Sequence, residues 1–247
     1  MSTLADPSDL LARFPKVRSS LPDAYQRIYL DMYEHSRKGR NPAAAAALRL
    51  EQWMQRKAAE RATFPLLELG AGTLNHVPFE PLTGDYDVVE PLPKLYEGSP
   101  HASRISTFYY TVHDIPEDRS YKRIVSIAVL EHVLDLPALV ARSALRLSDD
   151  GEMLSGIPTE GGLLWYLAWR FGTGTAFWLK YRMSYATFMR HEHVNQSDEI
   201  TAVMRLFFDD VRVSRFPLTL KHVSFYTMLT ARGPKKQAAQ VYLDSLS

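Results

Sequence analysis

Apolar positions follow two regimes along the chain: helical spacing up to residue 63, and short apolar runs between helix-like segments from Phe64 onward. In the first regime Pro22 stands where a helix can begin, since its missing N–H costs nothing in a first turn. Tyr25, Ile28, Tyr29, Met32 and Tyr33 then fall on one helical face. That face either packs into a core or forms a lid over a pocket. Asn41-Pro42 caps a second helix from Ala43 to about Ala62, favoured by its alanine run, with Leu48, Trp53 and Met54 as apolar surface. Residues 1–63 therefore read as an N-terminal helical extension.

The second regime reads as βα units and a mostly parallel sheet. Strands are expected at Leu66–Leu69, Tyr86–Glu90, Phe108–Val112, Ile124–Val129 and Met153–Ile157, with two closing strands at Val211–Phe216 and Val223–Ala231. Asp135 and Pro137 start a helix bearing Leu136, Leu139, Val140 and Leu147, and Asp149-Asp150-Gly151 is expected to turn the chain into the fifth strand. Another helix is expected from Asn195 to Phe208, with Ser197, Asp198 and Glu199 complementing its dipole. The α/β core thus spans 64–158 and 196–233, interrupted by an insertion at 159–195 and followed by a tail at 234–247. No internal repeat is evident.

Composition narrows the function classes. Lys+Arg 29 against Asp+Glu 28 leaves a formal charge of +1, without the basic excess that drives binding to phosphate backbones, so no nucleic-acid partner is expected. The absence of cysteine (Cys 0) excludes disulfides, thiolate zinc sites and a cysteine nucleophile. The N-terminus lacks the basic-then-apolar layout of a signal peptide, so a cytoplasmic location is expected. The most apolar run, Gly161 to Trp169, ends at Arg170, far short of the roughly 20 apolar residues of a spanning helix. Any membrane contact would be peripheral.

Candidate chemistry begins at Phe64-Pro-Leu-Leu-Glu-Leu-Gly-Ala-Gly-Thr, an apolar strand ending in two glycines one residue apart. Glycines there allow backbone angles and close approach that a Cβ forbids, so an extended ligand can lie across the strand end. A dinucleotide fingerprint would need a third glycine where Asn75 stands, which lowers the nicotinamide or flavin reading. Glu90 ends the second strand, where a carboxylate can accept from both ribose hydroxyls. Asp114 ends the third strand, placed to accept from an adenine amino group while Ile115 packs on the ring. After the fourth strand, Glu131 and His132 fall at the carboxyl edge where open α/β sheets bind ligands.

The set Glu68-x-Gly70-x-Gly72, Glu90, Asp114-Ile115 and Leu130-Glu131-His132-Val133 resembles the class I S-adenosylmethionine (SAM) dependent methyltransferases over roughly Phe64 to Gly233. The resemblance implies a Rossmann-like seven-stranded sheet, mostly parallel with its last strand antiparallel. It implies SAM as cofactor and S-adenosylhomocysteine as product, held by Glu68, Gly70, Ala71, Gly72, Asn75, Glu90, Pro91, Asp114, Ile115, Val129 and Leu130. Pro78 and Pro81 depart from the pattern, because the usual long first helix cannot run through them. Gly70-Ala-Gly-Thr-Leu-Asn-His-Val-Pro-Phe-Glu-Pro, Tyr86-Asp-Val-Val-Glu-Pro and Arg190-His-Glu-His-Val-Asn are further similar to methyltransferases of bacterial surface-polysaccharide biosynthesis. That similarity implies a sugar hydroxyl as methyl acceptor.

The insertion holds Trp165, Trp169 and Trp178 with Tyr166, Phe171, Phe177, Tyr181, Tyr185 and Phe188, broken by Gly161-Gly162 and Gly172-Thr-Gly174. It reads as two short helices capping the strand ends. Aromatics with polar tips suit the apolar C–H face and hydroxyl rim of a sugar, although they also suit packing of the cap or a dimer contact. Trp165, Tyr166, Trp169, Arg190 and Asn195 are the candidate acceptor-binding residues. His191 and His193 have the spacing of metal ligands but no third ligand in the sequence, so no metal is expected. His132, His191 and His193 are the candidate general bases, since an imidazole suits proton acceptance near neutral pH. The leading expectation is an O-methyltransferase acting on a glycan or nucleotide-linked sugar. Methylation of another small molecule or a lipid, and a non-catalytic SAM-binding partner in glycan assembly, are the alternatives.

Overall fold

The computed structural model describes residues 6–26, 28, 52–81, 83–160 and 162–246. The expected helical face at Tyr29, Met32 and Tyr33, and the start of the second helix, lie outside the described residues. Seven strands form one sheet: β1 Leu66–Leu69, β2 Tyr86–Val89, β3 Thr107–Tyr109, β4 Tyr121–Ile127, β5 Leu147–Pro158, β6 Phe208–Pro217 and β7 Ser224–Pro234. Their order is β3-β2-β1-β4-β5-β7-β6. β7 runs antiparallel to both neighbours, β5 and β6, and the remaining pairings are parallel. The expected architecture is therefore met, including the reversed last strand.

Strand order reverses between β1 and β4, so their carboxyl ends open the crevice where sheets of this kind take ligands. Both sheet faces are covered. On one, Leu67, Leu69, Ile124 and Met153 pack with α3 (Leu136–Arg146), α7 (Ser197–Phe207) and α8 (Lys236–Asp244), joined by Leu10 of α1 (Pro7–Leu11). On the other, Leu66, Val88, Val125 and Leu154 pack with Met54 and Ala58 from the helix α2 at 52–59. Asp135 caps α3 by accepting from the Ala138 amide at 3.3 Å, with Pro137 harmless in the first turn.

The first crossover carries no long helix. Among the described residues of 70–85, Pro78 and Pro81 leave a single 3-10 turn, Val77–Phe79. α2 supplies the missing cover from the N-terminal side, with Met54 and Ala58 fully buried beside Leu74 and Val77 of the loop. The loop is pinned by ionic contacts instead of a helix ladder. Glu80, 3% exposed, joins His76 Nε2 at 2.6 Å and the Arg123 guanidinium on β4, and Arg123 also donates to the Ala58 carbonyl at 3.0 Å. Burial works to raise the Glu80 pKa, but the His76 hydrogen bond and the Arg123 charge outweigh it and hold the carboxylate below its ordinary value.

Several expectations are corrected. Asp149-Asp150-Gly151 is not a turn before the strand but a bulge within β5, whose register passes from Tyr121↔Leu147 to Arg123↔Glu152. A Cβ at Gly151 would lie 3.0 Å from the Ser148 carbonyl and 3.1 Å from that of Lys122, so glycine permits the bulge. The third strand stops at Tyr109, because Thr111 caps a 3-10 turn at Val112–Asp114. The fourth begins at Tyr121 and ends at Ile127, where Ala128 turns the chain with φ 55°. The insertion forms three helices rather than two: α4 Leu163–Phe171, α5 Thr173–Tyr181 and α6 Tyr185–Glu192. The segment set apart as a tail contains α8, whose Ala239 and Leu243 are buried in the core. Among the described residues no helix is long and apolar enough to cross a membrane.

Removing one partner of a buried ion pair strands the other, at a cost of about 3–5 kcal/mol. Arg123→Met is therefore expected to lower Tm by about 10 °C in thermal unfolding. An unchanged Tm would show that the Glu80 contacts do not hold the first crossover.

Candidate active site

The glycine loop follows β1. Gly70 takes φ +66° and donates its N–H to the Val89 carbonyl at 2.8 Å, and a Cβ there would stand 2.5 Å from Val129 Cγ2. Only glycine fits both demands. Gly72 takes φ +52°, but a Cβ there would meet nothing within 4 Å, so this flank of the loop faces open space. Its N–H donates to Glu90 Oε2 at 2.7 Å, while Glu90 Oε1 accepts from the Leu92 amide at 3.0 Å. Glu90 thereby sets the loop and the turn after β2 at once. Each oxygen retains lone-pair capacity for a further donor.

The other strand ends continue the same edge. Asp114 is exposed, its Oδ2 accepting from the Thr111 amide at 2.6 Å in a capping box, and Ile115 behind it is buried in the core. Ala71 and Leu130 are buried, Val129 is half-buried against Gly70, and Asn75 and Pro91 are exposed. Beneath the loop lies Glu68, 4% exposed, accepting from Tyr86 Oη at 2.6 Å. Burial raises its pKa, against the charge of His76 and the tyrosine hydrogen bond, which lower it.

The three candidate histidines separate. His132 and His193 meet edge to face at 4.8 Å between ring centroids, although sixty residues lie between their positions in the chain. His132 Nδ1 pairs with the Glu192 carbonyl at 2.9 Å; burial, then the charge of His193, pull its pKa down to about 4. His193 Nδ1 bonds Glu160 Oε1. Burial opposes charge on His193, but the hydrogen bond and charge of Glu160, with the charges of Glu131 and Glu192, hold its pKa above the ordinary value. His191 is turned elsewhere, its Nδ1 bonded to the Ser19 carbonyl at 2.7 Å. Glu131, His132 and His193 bring one donor atom each within 4.8 Å of one another. Ligand atoms around a zinc-sized ion lie about 3–3.5 Å apart. The grouping is wider than that, and it would close on a divalent cation only by contracting.

His193 and Glu160 line a cleft of about 630 Å³ with Trp165, Tyr166, Arg190 and His222. Trp169 lies in α4, and Asn195 does not reach the cleft. Asn195 is 1% exposed, and its amide donates to the Leu130 and Val133 carbonyls at 2.8 and 2.7 Å, bracing the turn that carries His132. The N-terminal segment crosses beside this turn: Arg18 donates to the His132 carbonyl at 2.9 Å and pairs with Glu192 at 3.4 Å, while Lys16 pairs with Glu199. Tyr25 packs edge-on against Phe188 of α6 at 5.1 Å, and Ile28 joins the same cluster, so these two residues of the expected face pack against the cap. Sequence reasoning missed Glu160 and Arg18, whose partners are distant in the chain and carry no local motif, and it gave Glu192, quoted within the Arg190–Asn195 run, no role of its own.

No protein-family model matches the chain, and no curated protein matches it in sequence. Solved structures do match. The N-methyltransferase NodS from Bradyrhizobium japonicum, in complex with S-adenosylhomocysteine, aligns with TM-score 0.55 and 12% identity over 86% of this chain and 100% of its own. The 1,6-didemethyltoxoflavin-N1-methyltransferase of Burkholderia thailandensis aligns with TM-score 0.54 and 17% identity, over 88% and 93%. The plantazolicin methyltransferase BpumL aligns with TM-score 0.53 and 9% identity, over 91% and 94%. The chain has the fold of the SAM-dependent methyltransferases. Its departure is the first crossover, where the Glu80 pin stands in place of a long helix.

A carboxylate whose folded pKa is raised favours folding below its unfolded pKa, and that contribution is lost as pH rises through the folded value. Ionising Glu68 costs more in the folded chain than in the unfolded one, so the wild type loses stability with rising pH that Glu68→Gln keeps. Glu68→Gln is expected to raise Tm at pH 8 by about 2–4 °C, equivalent to about 1 kcal/mol. The gain should shrink as pH falls toward the carboxylate range. A lowered Tm at pH 8 would contradict the assignment.

Proposed function

We propose that the protein is a SAM-dependent methyltransferase that methylates a hydroxyl, in the favoured case that of a glycan or nucleotide-linked sugar in cell-surface polysaccharide assembly in the cytoplasm. The observation that carries the reading is the pairing of Gly72 with Glu90, at 2.7 Å, on the open edge of β1 and β2. A loop whose outer flank would admit a Cβ without contact has room for an extended ligand, and Glu90 beside it has the acceptor capacity two ribose hydroxyls require. The residues fit the cofactor. Glu68 and the loop would hold the methionine end, Glu90 the ribose, and Asp114 the adenine, with Ala71, Asn75, Pro91, Val129 and Leu130 around them; Ile115, expected against the ring, is buried in the core behind Asp114. When bound, SAM supplies a methyl group activated by a sulfonium.

The protein's own part is alignment and proton handling. Holding an acceptor in line contributes about 7–11 kcal/mol, whereas a general base adds about 10²–10⁴-fold. The sugar reading draws on Trp165, Tyr166 and Arg190 in the cleft, with Trp169 on the same helix. Among the three histidines His193 is the best base. Its Nδ1 is held by Glu160, which leaves Nε2 to take the hydroxyl proton, and the carboxylates around it favour the resulting imidazolium. His132, with a pKa of about 4, is a far weaker base and serves better as a neutral neighbour. His191, bonded to Ser19, stands away from the cleft.

The test is transfer of labelled methyl from SAM to a panel of sugars, nucleotide sugars and lipids. His193→Asn is expected to lower kcat about 10²–10⁴-fold, with affinity for SAM unchanged. The rise of kcat/KM with pH should centre above the ordinary histidine value of about 6.5, and Glu160→Gln should shift it downward. Wild-type turnover by His193→Asn would remove it as the base. Transfer to lipids alone would replace the sugar reading.

A further inference from the structure

The cap holds a second cleft of about 540 Å³ that the chemistry above leaves unused, lined by Tyr166, Arg170, Trp178, Arg182, Ser184 and Tyr185. It adjoins the cleft beside His193, because Tyr166 and Ala186 line both. Its electrostatics are one-sided. From Gly161 to His191 the sequence holds Arg170, Lys180, Arg182 and Arg190 and no acidic residue. The acids that bracket this stretch are engaged, Glu160 with His193 and Glu192 with Arg18 and His132. Among the described residues neither Arg170 nor Arg182 pairs with a carboxylate.

Arg182 carries an independent signal. It ends α5 in the left-handed conformation, φ 57°, its amide closing on the Trp178 carbonyl at 2.7 Å. Glycine is the residue that takes this position without strain, and a long side chain here is retained at a backbone cost. That conformation sets the guanidinium 4.6 Å from the Trp178 ring centroid, stacked at the mouth of the cleft. A planar guanidinium held over a ring, with a second arginine lining the same cleft, offers the paired donors that phosphate oxygens accept. The helices that carry these arginines also expose apolar side chains: Leu163, Leu167 and Phe171 on the same stripe of α4 as Arg170, and Leu179 on α5.

We propose that this second cleft is an anion subsite that takes the phosphate of a phosphorylated acceptor while the acceptor's hydroxyl-bearing part lies in the cleft beside His193. Anion binding stands on the cleft alone, and its role as acceptor subsite rests on the methyl-transfer reading. The phosphate could belong to a soluble nucleotide diphosphate or to a lipid headgroup. The chemistry at Arg170 and Arg182 is the same.

The experiment titrates the full chain with inorganic pyrophosphate and with a nucleoside diphosphate, following calorimetric heat and tryptophan fluorescence. In parallel it measures cosedimentation with phosphatidylcholine vesicles with and without phosphatidic acid. S-adenosylhomocysteine is titrated as the separate control. At least one anion arm is expected to bind, and Arg170→Gln and Arg182→Gln should each weaken that arm at least tenfold without altering S-adenosylhomocysteine affinity. Arg182→Gly removes the strain along with the guanidinium, so it should keep or raise Tm while losing the anion. A preference for pyrophosphate and the nucleotide assigns a soluble acceptor, and binding only to phosphatidic acid vesicles assigns a lipid-borne one. Binding of S-adenosylhomocysteine with no anion in any arm, or anion binding untouched by the three variants, would overturn the subsite and leave the methyltransferase reading standing. Anion binding without S-adenosylhomocysteine would do the reverse.

Discussion

The buried carboxylate of Glu80 is the interaction on which the site depends. Two prolines deny the first crossover a helix, and a loop of that length carries no ladder to fix it against the sheet. Glu80 answers by meeting His76 within the loop and Arg123 on β4, while Arg123 reaches the Ala58 carbonyl of α2. Loop, sheet and N-terminal helix are tied at one fully buried guanidinium. The glycine loop begins this crossover, so the position of Gly70 and Gly72 relative to Glu90 rests on the same pin. A buried ion pair is a costly way to gain stability, but it specifies geometry well, and geometry is what the loop requires.

From this anchor the edge of the sheet is built in order. β1 and β4 diverge at the switch point, with Gly70 packed against Val129 too closely for any side chain. The turn after β4 carries Glu131 and His132, and Asn195 braces it from below. The cap then returns His193 and Glu160 to the same place. The histidine pair and the glycine loop thus meet at one turn, while the cap extends the surface outward to the arginines of the second cleft.

Much of this was legible in the sequence because it is local. Apolar runs of four to nine residues located all seven strands, Pro78 and Pro81 announced the broken crossover, and the two glycines marked the loop that their positive φ angles require. What failed was local in another way. Asp149-Asp150-Gly151 has turn composition, yet the sheet absorbs it as a bulge, and the cap has an additional helix because Met183-Ser184 interrupts what read as one segment. The site was less legible than the fold. His132 and His193 were singled out separately, but their contact, the Glu160 partner and the commitment of Asn195 and His191 to backbone carbonyls arise only when distant segments meet. The buried role of Glu80 was invisible for the same reason, since Arg123 lies on a strand two crossovers away.

The chemistry of the site turns on whether the loop set by Glu90 holds an adenosyl ligand. Calorimetric titration of the wild-type chain with SAM, S-adenosylhomocysteine and NADH tests that directly. Micromolar binding of the first two with none of NADH is the predicted result. Binding of NADH, or of none of the three, would contradict it.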